Sequence, residues 1–561
     1  MDRDHDGTDQ NGGDQNGWEE LGEELDELGQ HPFRLSGSNP TEEGVLGSRE
    51  AAGYRARASD KLFDGRFKTG RLAGLTMWGA IWVLSWPVVL ESFLNALVGI
   101  TDTVLSTRLG LDQADAVGGA AYINWFIGLV IMAIGVSATA MIARGIGAGR
   151  MALANATLGQ SLVLAVSAGV VLGAFIALGA ETFAGALNMT EGATAAFTEY
   201  MVIIGLGVPV AAVLFILVSC ARGAGDTRRP LYAMALRNLV NIGASYALSG
   251  VDVGGAANPF PFDLGVRGLA LGTVLGDLAG AGVLLIMAVR GTWGIRILRR
   301  RLIPHWTTMW RLIRLATPNF FESLGMWFGN VLVLMLVGML GLMDRAARVG
   351  EGGVAAADGD GLLGAHVIAI RIESLSFLPG FAMGTAAATL AGQYLGARRR
   401  DLARSAMIRC AAIGAAVMGA MGVVFITAPR FVTGLMTEQP EHMEITPSLL
   451  FICGTVQIPF AIGLVLRTAM RGAGDVRWAL ALTWISTYLV RLPLAFLFSG
   501  VDIVVRDDNG GVRTLLENPM PDDFFVSGLS GLWVALCTDL TIRGVLFTAR
   551  FVQGGWAEQR V

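Results

Sequence analysis

The chain has 561 residues, of which 53% are hydrophobic and only 16% are charged, and its formal net charge is −4. Soluble domains carry charges at about 25% of their positions, so this composition excludes an ordinary soluble enzyme. The four cysteines and five histidines lack metal-ligand spacing. We therefore expect a membrane protein that is not an enzyme and that has no metal, haem or other cofactor.

The first 70 residues form a segment of their own. Residues 1–60 hold 15 Asp or Glu, 5 Arg and few apolar side chains. Such a sequence does not bury enough apolar surface to fold alone, and it lacks the basic and apolar order of a secretory signal. We expect residues 1–70 to be an acidic, disordered cytoplasmic tail; a regulatory docking arm is the alternative.

Twelve apolar segments follow, each long enough to cross the roughly 30 Å hydrocarbon core as a helix. The motif RGAGD at Arg222 to Asp226 recurs at Arg471 to Asp475, 249 residues later. The motif IGAGR before Met151 corresponds to LGARR, also 249 residues later. Two matches at one distance indicate that six helices have been duplicated. The predicted spans are 76–107, 119–142, 155–178, 198–220, 230–250, 266–290, 314–341, 363–391, 403–428, 446–470, 477–500 and 525–552.

The predicted fold is an all-α membrane protein with two six-helix lobes. An even number of helices per half gives both lobes one orientation, so a pseudo-two-fold axis along the membrane normal should relate them. The N-lobe covers 71–295, a basic cytoplasmic linker 296–310, and the C-lobe with a short tail 311–561. Pro87-x-x-x-Glu91 returns as Pro318-x-x-x-Glu322 at a shorter distance of 231 residues, which predicts insertions. We expect exposed outer loops at 343–364 and 502–523.

Orientation follows from the arginines, which concentrate in the loops after even-numbered helices: Arg144, Arg150, Arg222, Arg228, Arg229, Arg290, Arg296, Arg299, Arg300, Arg301, Arg398, Arg399, Arg400, Arg471 and Arg477. The alternate loops are acidic. Because basic loops stay inside, these loops and both termini should be cytoplasmic in a multi-pass protein of the plasma membrane.

Polar residues inside two N-lobe helices predict an ion site. Glu91, Asn95 and Asp102 share one face of helix 1, and Asn238, Asn241 and Ser245 share one face of helix 5. A charge inside the membrane is costly unless it is paired or hydrated. A carboxylate beside amide and hydroxyl oxygens suits Na⁺ or a proton. The alternatives are structural: Asp102 and Glu91 as buried partners, and the asparagines as hydrogen bonds between helices.

The second half carries a different set of charges. His366 and Glu373 share a face of helix 8, Arg371 points elsewhere, and Arg491 lies near the helix 11 position that matches Asn241. We expect Arg371, Glu373 and Arg491 to form a buried polar network rather than to contact substrate, with Glu322 on helix 7 as a further member. His366 is a possible proton carrier, but a packing role with a hydrogen bond is the commoner case.

Other charges have simpler interpretations. Asp539 and Arg543 are an i, i+4 pair on helix 12. Asp277 on helix 6 has no obvious partner. Arg222 and Asp226 should cap helix ends and pair with each other, as should the same residues of the second RGAGD turn.

Aromatic side chains within the predicted helices are the candidates for substrate contacts, because apolar and aromatic walls line the binding sites of small molecules. The candidates are Trp125, Phe126, Trp327, Phe328 and Phe377. The alternative for each is packing against lipid or a neighbouring helix.

The duplicated turns, the two Pro-x-x-x-Glu motifs and the closing RFVQGGW at Arg550 to Trp556 resemble the multidrug and toxic compound extrusion family. The resemblance implies a monomeric antiporter whose two lobes enclose a cavity that opens to each side in turn. Inward movement of Na⁺ or H⁺ would expel small organic, cationic amphiphilic compounds. The expected partners are these substrates and the lipid bilayer, and no nucleic acid is expected.

The family's ion-binding positions correspond here to Asp102, Asn241 and Ser245, where Ser245 replaces a second carboxylate, and Thr273 resembles a further oxygen ligand. The coupling ion is therefore Na⁺, H⁺ or both. A flippase of lipid-linked saccharides has a related topology and is the alternative function. The carboxylates of helix 1 argue against it.

Overall fold

The computed structural model describes residues 62–63, 66–67, 70–187, 189–252, 257–350, 361–506, 512–520 and 528–559. The predicted acidic tail therefore lies almost entirely outside the described residues. So do parts of the two predicted outer loops.

Twelve long helices follow one another within this part of the chain, as the hydropathy predicts. They are α1 (Met77–Leu109), α2 (Leu111–Ala148), α3 (Met151–Ala186), α4 (Glu191–Gly223), α5 (Arg228–Ser249), α6 (Gly265–Val289), α7 (Trp306–Gly350), α8 (Leu362–Gly396), α9 (Arg400–Thr427), α10 (Pro440–Thr455 and Gln457–Gly472), α11 (Val476–Ser499) and α12 (Gly528–Gln553). The halves of α10 meet at a bend of 61°. Residues Ile485–Arg491 of α11 form a π-helical turn.

Most helices are longer than predicted because helical structure continues beyond the apolar segment. The expected loop at 343–364 is wrong in its first part, since α7 continues as helix to Gly350. The linker predicted at 296–310 is shorter in the structure, because α7 already begins at Trp306. Gln160 of α3 secures this linker, donating from its amide to the carbonyl oxygens of Arg301 at 2.6 Å and Ile303 at 2.8 Å.

Helix α5 differs from the other spans in composition. Within the described residues, ten helices are individually long and apolar enough to cross a membrane, and the bent α10 adds an eleventh. Helix α5 falls short because it contains Arg237, Asn238 and Asn241 in its middle. It is nevertheless enclosed by α1 and α6. A polar helix in this position points to a site in the lobe interior.

The two lobes repeat the same helix packing. The pairs α2–α4, α3–α4, α5–α6 and α1–α5 of the N-lobe correspond to α8–α10, α9–α10, α11–α12 and α7–α11 of the C-lobe. Between lobes, α2 packs on α8, and the contact of α2 with α7 matches that of α8 with α1. This pattern is the one that the predicted pseudo-two-fold requires.

The lobes also exchange their first helical turns. Ile81 and Leu84 of α1 belong to an apolar core of the C-lobe, whereas Leu312 and Leu315 of α7 belong to the core of the N-lobe. Each core is therefore completed by residues of the other half.

The lobes meet closely at the end of the bundle formed by the loops after α2, α4, α8 and α10, which we call the arginine-rich face. Gly147 of α2 lies against the backbone of Gln393, and Gly396 of α8 lies against the backbone of Arg144, with no room for a side chain at either glycine. Arg144 donates to the carbonyl oxygen of Ala473 at 2.7 Å. These contacts close the two lobes together at this face.

At the opposite end, the loops after α5 and α11 share one hydrogen-bond arrangement. The amide group of Asn258 donates to the carbonyl of Tyr246 at 2.8 Å, and that of Asn518 donates to Phe496 at 2.6 Å. The sequence SGVD precedes both asparagines, ending at residues 252 and 502. The C-lobe loop additionally carries a hairpin of two antiparallel strands, Ile503–Arg506 and Val512–Leu516.

Candidate functional site

A polar site in the N-lobe lies where α5 and α6 approach closely. Helix α6 has a glycine at every fourth position from Gly268 to Gly280, and these glycines face α5. A Cβ atom on Gly276 would lie 2.7 Å from the carbonyl oxygen of Arg237 and 2.9 Å from Cβ of Asn241. The glycines therefore let the polar side chains of α5 pack directly against α6.

An ion pair links these two helices. Arg237 Nε donates to Asp277 Oδ1 at 2.8 Å, and Arg237 Nη1 donates to Asn238 Oδ1 at 3.1 Å. Asn238 in turn donates to Asn95 Oδ1 of α1 at 3.2 Å. This chain of contacts runs from α6 through α5 to α1, and it supplies the partner of Asp277 that sequence reasoning missed. The available signal was one arginine in helix 5 and one aspartate in helix 6, each of which needs an opposite charge.

The predicted ion ligands lie beside this chain. Asn241 Nδ2 donates to Thr273 Oγ1 at 3.0 Å, which directs the amide oxygen of Asn241 away from Thr273. Among the described residues, Asn241 Oδ1, Ser245 Oγ and Asp102 Oδ1 are buried oxygens without a hydrogen-bond partner. Buried polar atoms are normally paired, so unpaired oxygens mark a place where a ligand fits.

The charge of the site suits one monovalent cation. Asp102 and Asp277 carry two negative charges, and Arg237, which interacts electrostatically with both, carries one positive charge. Tyr200 of α4 also lies within electrostatic range of both carboxylates and contacts Thr273. The net charge of −1 and the hard oxygen donors fit Na⁺, or a proton on Asp102.

Glu91 lies apart from this site. It is buried and forms an ion pair with Arg222 at 2.8 Å. Eleven helical residues separate it from Asp102, which is about 16 Å along the axis at 1.5 Å per residue. The structure thus joins Asn241 to Thr273, places Asp102 within electrostatic range of Arg237 and Tyr200, and places Glu91 elsewhere.

The expected pairing of Arg222 with Asp226 is wrong, because each has a different partner. Asp226 pairs with Arg229 at 2.6 Å and with Arg71 at 3.1 Å. Its capping role is confirmed, since its carboxylate accepts the backbone N–H of Arg229 at 3.2 Å. Arg222 is occupied by Glu91, so the RGAGD turn joins three segments of the chain.

In the second RGAGD turn the expected pairing is also wrong, because Arg471 and Asp475 have different partners, and Asp475 makes no side-chain capping hydrogen bond to its helix. Arg471 lies 3.7 Å from Glu322 and donates to Asn319 Oδ1 at 2.8 Å. Asp475 pairs with Arg550 of the closing RFVQGGW motif at 2.9 Å. The second RGAGD motif and the closing motif therefore meet at the arginine-rich face.

The charge network of the C-lobe centres on Asp539 rather than on helix 8. Asp539 Oδ2 accepts from Arg491 at 2.6 Å and from Arg543 at 2.8 Å, and Asp539 Oδ1 accepts the hydroxyl of Ser486. The pair of Asp539 and Arg543 is confirmed. Arg491 also donates to Asn330 Oδ1 at 2.6 Å, a contact that the sequence did not indicate.

The predicted partners of Arg491 on helix 8 are only partly correct. Glu373 interacts electrostatically with Arg491, but its side chain contacts Cys453. Arg371 is exposed, and no ion pair joins it to Glu373, although both lie among the described residues. It is turned away because only one face of α8 points into the lobe, and residue 371 lies outside that face.

His366 has a packing role. It is buried, and its Nδ1 accepts a hydrogen bond from Trp533 Nε1 at 3.0 Å. The two rings meet edge to face with their centroids 5.8 Å apart. An indole N–H only donates, so Nδ1 carries no proton in this contact. This geometry supports the structural alternative for His366.

The charged residues of α12 match glycines of α6. Aligning Gly265 and Gly528, the left-handed residues at the starts of these helices, places Asp539 opposite Gly276 and Arg543 opposite Gly280. Larger side chains at these positions require more space between helices. Helix α11 provides it through the π-helical turn, which adds one residue before the left-handed Gly500.

The predicted substrate contacts differ in exposure. Trp125 and Phe328 are 53% and 50% exposed, whereas Trp327 and Phe377 are partly buried. Phe126 of α2 packs edge to face on Phe320 of α7, with centroids 6.3 Å apart, at the interface between the lobes.

Two lobes around buried polar sites define a membrane transporter. The MatE family model matches residues 87–247 and 354–497, which is more than half of the chain. The protein therefore belongs to the multidrug and toxic compound extrusion (MATE) family, as the sequence motifs predict.

Relatives match along most of the chain. The probable multidrug resistance protein NorM of Thermotoga maritima is 27% identical over 85% of this chain and 93% of its own length. The probable multidrug resistance protein NorM of Caulobacter vibrioides is 25% identical over 74% of this chain and 83% of its own length.

Solved structures share the fold. A multidrug resistance MATE family transporter in an outward-facing conformation has a TM-score of 0.72 at 19% identity and covers 86% of this chain and 97% of its own. A MOP superfamily transporter from Pyrococcus furiosus, for which a binding pocket of reverse polarity suggests a different function, has a TM-score of 0.72 at 18% identity, with coverage of 86% and 97%.

Proposed function

We propose that this protein is a cation-coupled antiporter that exports organic, cationic amphiphilic compounds by alternating access. The observation that carries the proposal is the set of three unpaired buried oxygens on Asp102, Asn241 and Ser245. Their surroundings hold a net charge of −1, which one Na⁺ or one proton neutralises. The names of the relatives as multidrug resistance proteins support the substrate class.

Coupling follows from the position of the site. Asp102 and Asn95 lie on α1, while Asn241 and Ser245 lie on α5, so binding of a cation draws two helices towards one charge. An ion that binds one arrangement of these helices better than another shifts the equilibrium between them. Export of the organic cation then draws on the inward gradient of Na⁺ or H⁺.

The flippase alternative receives less support from the interior of the N-lobe. A lipid-linked saccharide carries phosphate charges, and a site with net negative charge repels them.

The test is transport of a fluorescent organic cation by the full-length protein in proteoliposomes, under imposed Na⁺ or H⁺ gradients. Asp102→Asn keeps the shape and removes the charge, so gradient-driven transport should be lost while insertion and folding persist. Glu199→Gln is the matched control, because Glu199 is an exposed N-lobe carboxylate that pairs only with the exposed Arg267 among the described residues. Transport by Asp102→Asn at the wild-type rate would refute the proposal.

A further inference from the structure

The interior of the C-lobe holds more positive than negative charge. Four arginines interact electrostatically with one another and with two carboxylates: Arg467, Arg471, Arg491 and Arg543, with Glu322 and Asp539. Glu373, which interacts with Arg491, is the third carboxylate. A positive excess of one charge remains even when all three are counted. An unbalanced buried charge costs several kcal/mol in a membrane unless a counter-charge is supplied.

The two central carboxylates do not satisfy all four arginines. Asp539 is fully occupied by Arg491 and Arg543 at 2.6 and 2.8 Å. Glu322 lies 3.8 Å from Arg467 and 3.7 Å from Arg471, which are longer distances than hydrogen bonds allow. Arg467 is therefore the arginine with the weakest charged partner.

Two of these arginines converge on a neutral atom. Arg467 Nη1 of α10 lies 2.9 Å from Met326 Sδ of α7, and Arg543 Nη1 of α12 lies 3.5 Å from the same sulfur. A thioether is a weak acceptor, so this is poor compensation for two guanidinium groups. Helices α10 and α12 thus direct two positive charges to one uncharged atom of α7, and the carboxylate of Glu322 lies 3.8 Å from Arg467 Nη1, beyond hydrogen-bond distance.

The arginines of this cluster also have unpaired donors. Among the described residues, Arg467 Nε, Arg471 Nη2 and Arg543 Nε are buried without a hydrogen-bond partner. Arg471 and Arg543 are only 6% and 8% exposed. Met326 is partly exposed, whereas these two arginines are enclosed.

We propose that the C-lobe contains an anion-binding site at Met326, formed by Arg467 and Arg543. Its ligand is one compact, singly charged anionic group, either a free halide or the carboxylate of a zwitterionic cargo. Guanidinium groups bind such anions through charge-assisted hydrogen bonds. The site lies in the opposite lobe from Asp102 and goes beyond the proposed cation coupling.

The first experiment compares anions with the purified full-length protein in detergent. Sodium chloride or sodium acetate replaces sodium gluconate, a bulky hydrated anion, at constant ionic strength and constant Na⁺. The unfolding temperature is followed by circular dichroism at 222 nm. A saturable rise with chloride alone identifies a halide site, and a rise with acetate alone identifies a site for the carboxylate of a cargo. A rise with neither overturns the proposal.

The second experiment introduces a negative charge at the proposed anion site by substitution. Met326→Glu places a carboxylate between Arg467 and Arg543, so the anion-dependent shift should disappear. Met326→Gln is the neutral control of equal size and should retain the shift. An unchanged shift in Met326→Glu contradicts the proposal.

A second pair of variants guards against misfolding of the glutamate variant. Arg467→Gln should weaken anion binding at least about tenfold, because it removes one of two converging charges. Arg430→Gln, at an exposed arginine of the same lobe, should leave binding unchanged. Equal loss in both variants overturns the site. Asp102→Asn should retain the anion effect, so failure of the cation-coupling proposal remains distinguishable.

Discussion

At matching positions of α6 and α12, the N-lobe has Gly276 and Gly280, whereas the C-lobe has Asp539 and Arg543. In the N-lobe the glycines bring α5 directly against α6, and unpaired oxygens of α1 and α5 face a net negative site. In the C-lobe the matching place is filled by an ion pair, and α11 widens into a π-helical turn beside it. Duplication has thus preserved the helix packing while the interior charge has changed sign.

The apolar cores of the lobes differ in the same way. Buried apolar residues of the N-lobe form one continuous cluster, whereas those of the C-lobe fall into separate clusters. The arginine-centred network lies where the C-lobe cores are divided. A lobe with a continuous core can use one small polar site, while a lobe with a divided core depends on its ion pairs for cohesion.

The strongest test of this difference is Asp539→Asn, which leaves Arg491 and Arg543 without their carboxylate. We expect a loss of about 3–5 kcal/mol in the free energy of unfolding, because breaking a buried pair leaves uncompensated charge. Thermal unfolding in detergent measures it. Asp401→Asn is the control, since its pair with Arg399 is exposed and should contribute at most about 1 kcal/mol. Equal effects would show that the C-lobe network does not stabilise the lobe.

A test of the N-lobe replaces Gly276 by Leu. A Cβ atom at this position would lie 2.7 Å from the backbone oxygen of Arg237, so we expect a loss of about 1–3 kcal/mol from overpacking, together with loss of transport. Gly282→Leu is the matched control on α6, because a Cβ there meets no atom within 4 Å. Equal unfolding temperatures of the two variants would contradict the close α5–α6 contact.

The smallest change sharpens the charge comparison. Ser245→Asp adds a second uncompensated carboxylate beside Asn241 and changes the net charge of the N-lobe site from −1 to −2. We expect Na⁺ to bind about tenfold more tightly, equivalent to about 1.4 kcal/mol. Isothermal titration with NaCl at constant ionic strength measures it, and Ser245→Asn serves as the neutral control. Unchanged affinity would place the Na⁺ site elsewhere.

Much of the architecture could be predicted because membrane helices leave a strong hydropathy signal. The twelve spans follow from apolar length, and the lobes follow from the repeated RGAGD turns. Helical periodicity alone predicts the face of α1 that carries Asp102 and the face of α5 that carries Asn241 and Ser245.

Contacts between helices could not be predicted from hydropathy or periodicity. Periodicity places Arg237 and Asp277 on their own helices but does not state that they pair. For the same reason the sequence did not indicate that Arg222 pairs with Glu91 instead of Asp226. The SGVD repeat ending at residues 252 and 502 is present in the sequence, but the inserted hairpin changes the distance to the following Asn-Pro and so hides the match.

The exchange of first turns between the lobes has a consequence for biogenesis. When the ribosome has completed α6, the N-lobe still lacks Leu312 and Leu315, which belong to its apolar core. Ile81 and Leu84 of α1 are synthesised early, but they are buried only after α8 and its neighbours have been inserted. The first half therefore cannot finish its core during its own synthesis, because Leu312 and Leu315 belong to the second half. Final assembly in the membrane is therefore a late, joint event, and the early helices must persist there in an incomplete state until the second half has been inserted.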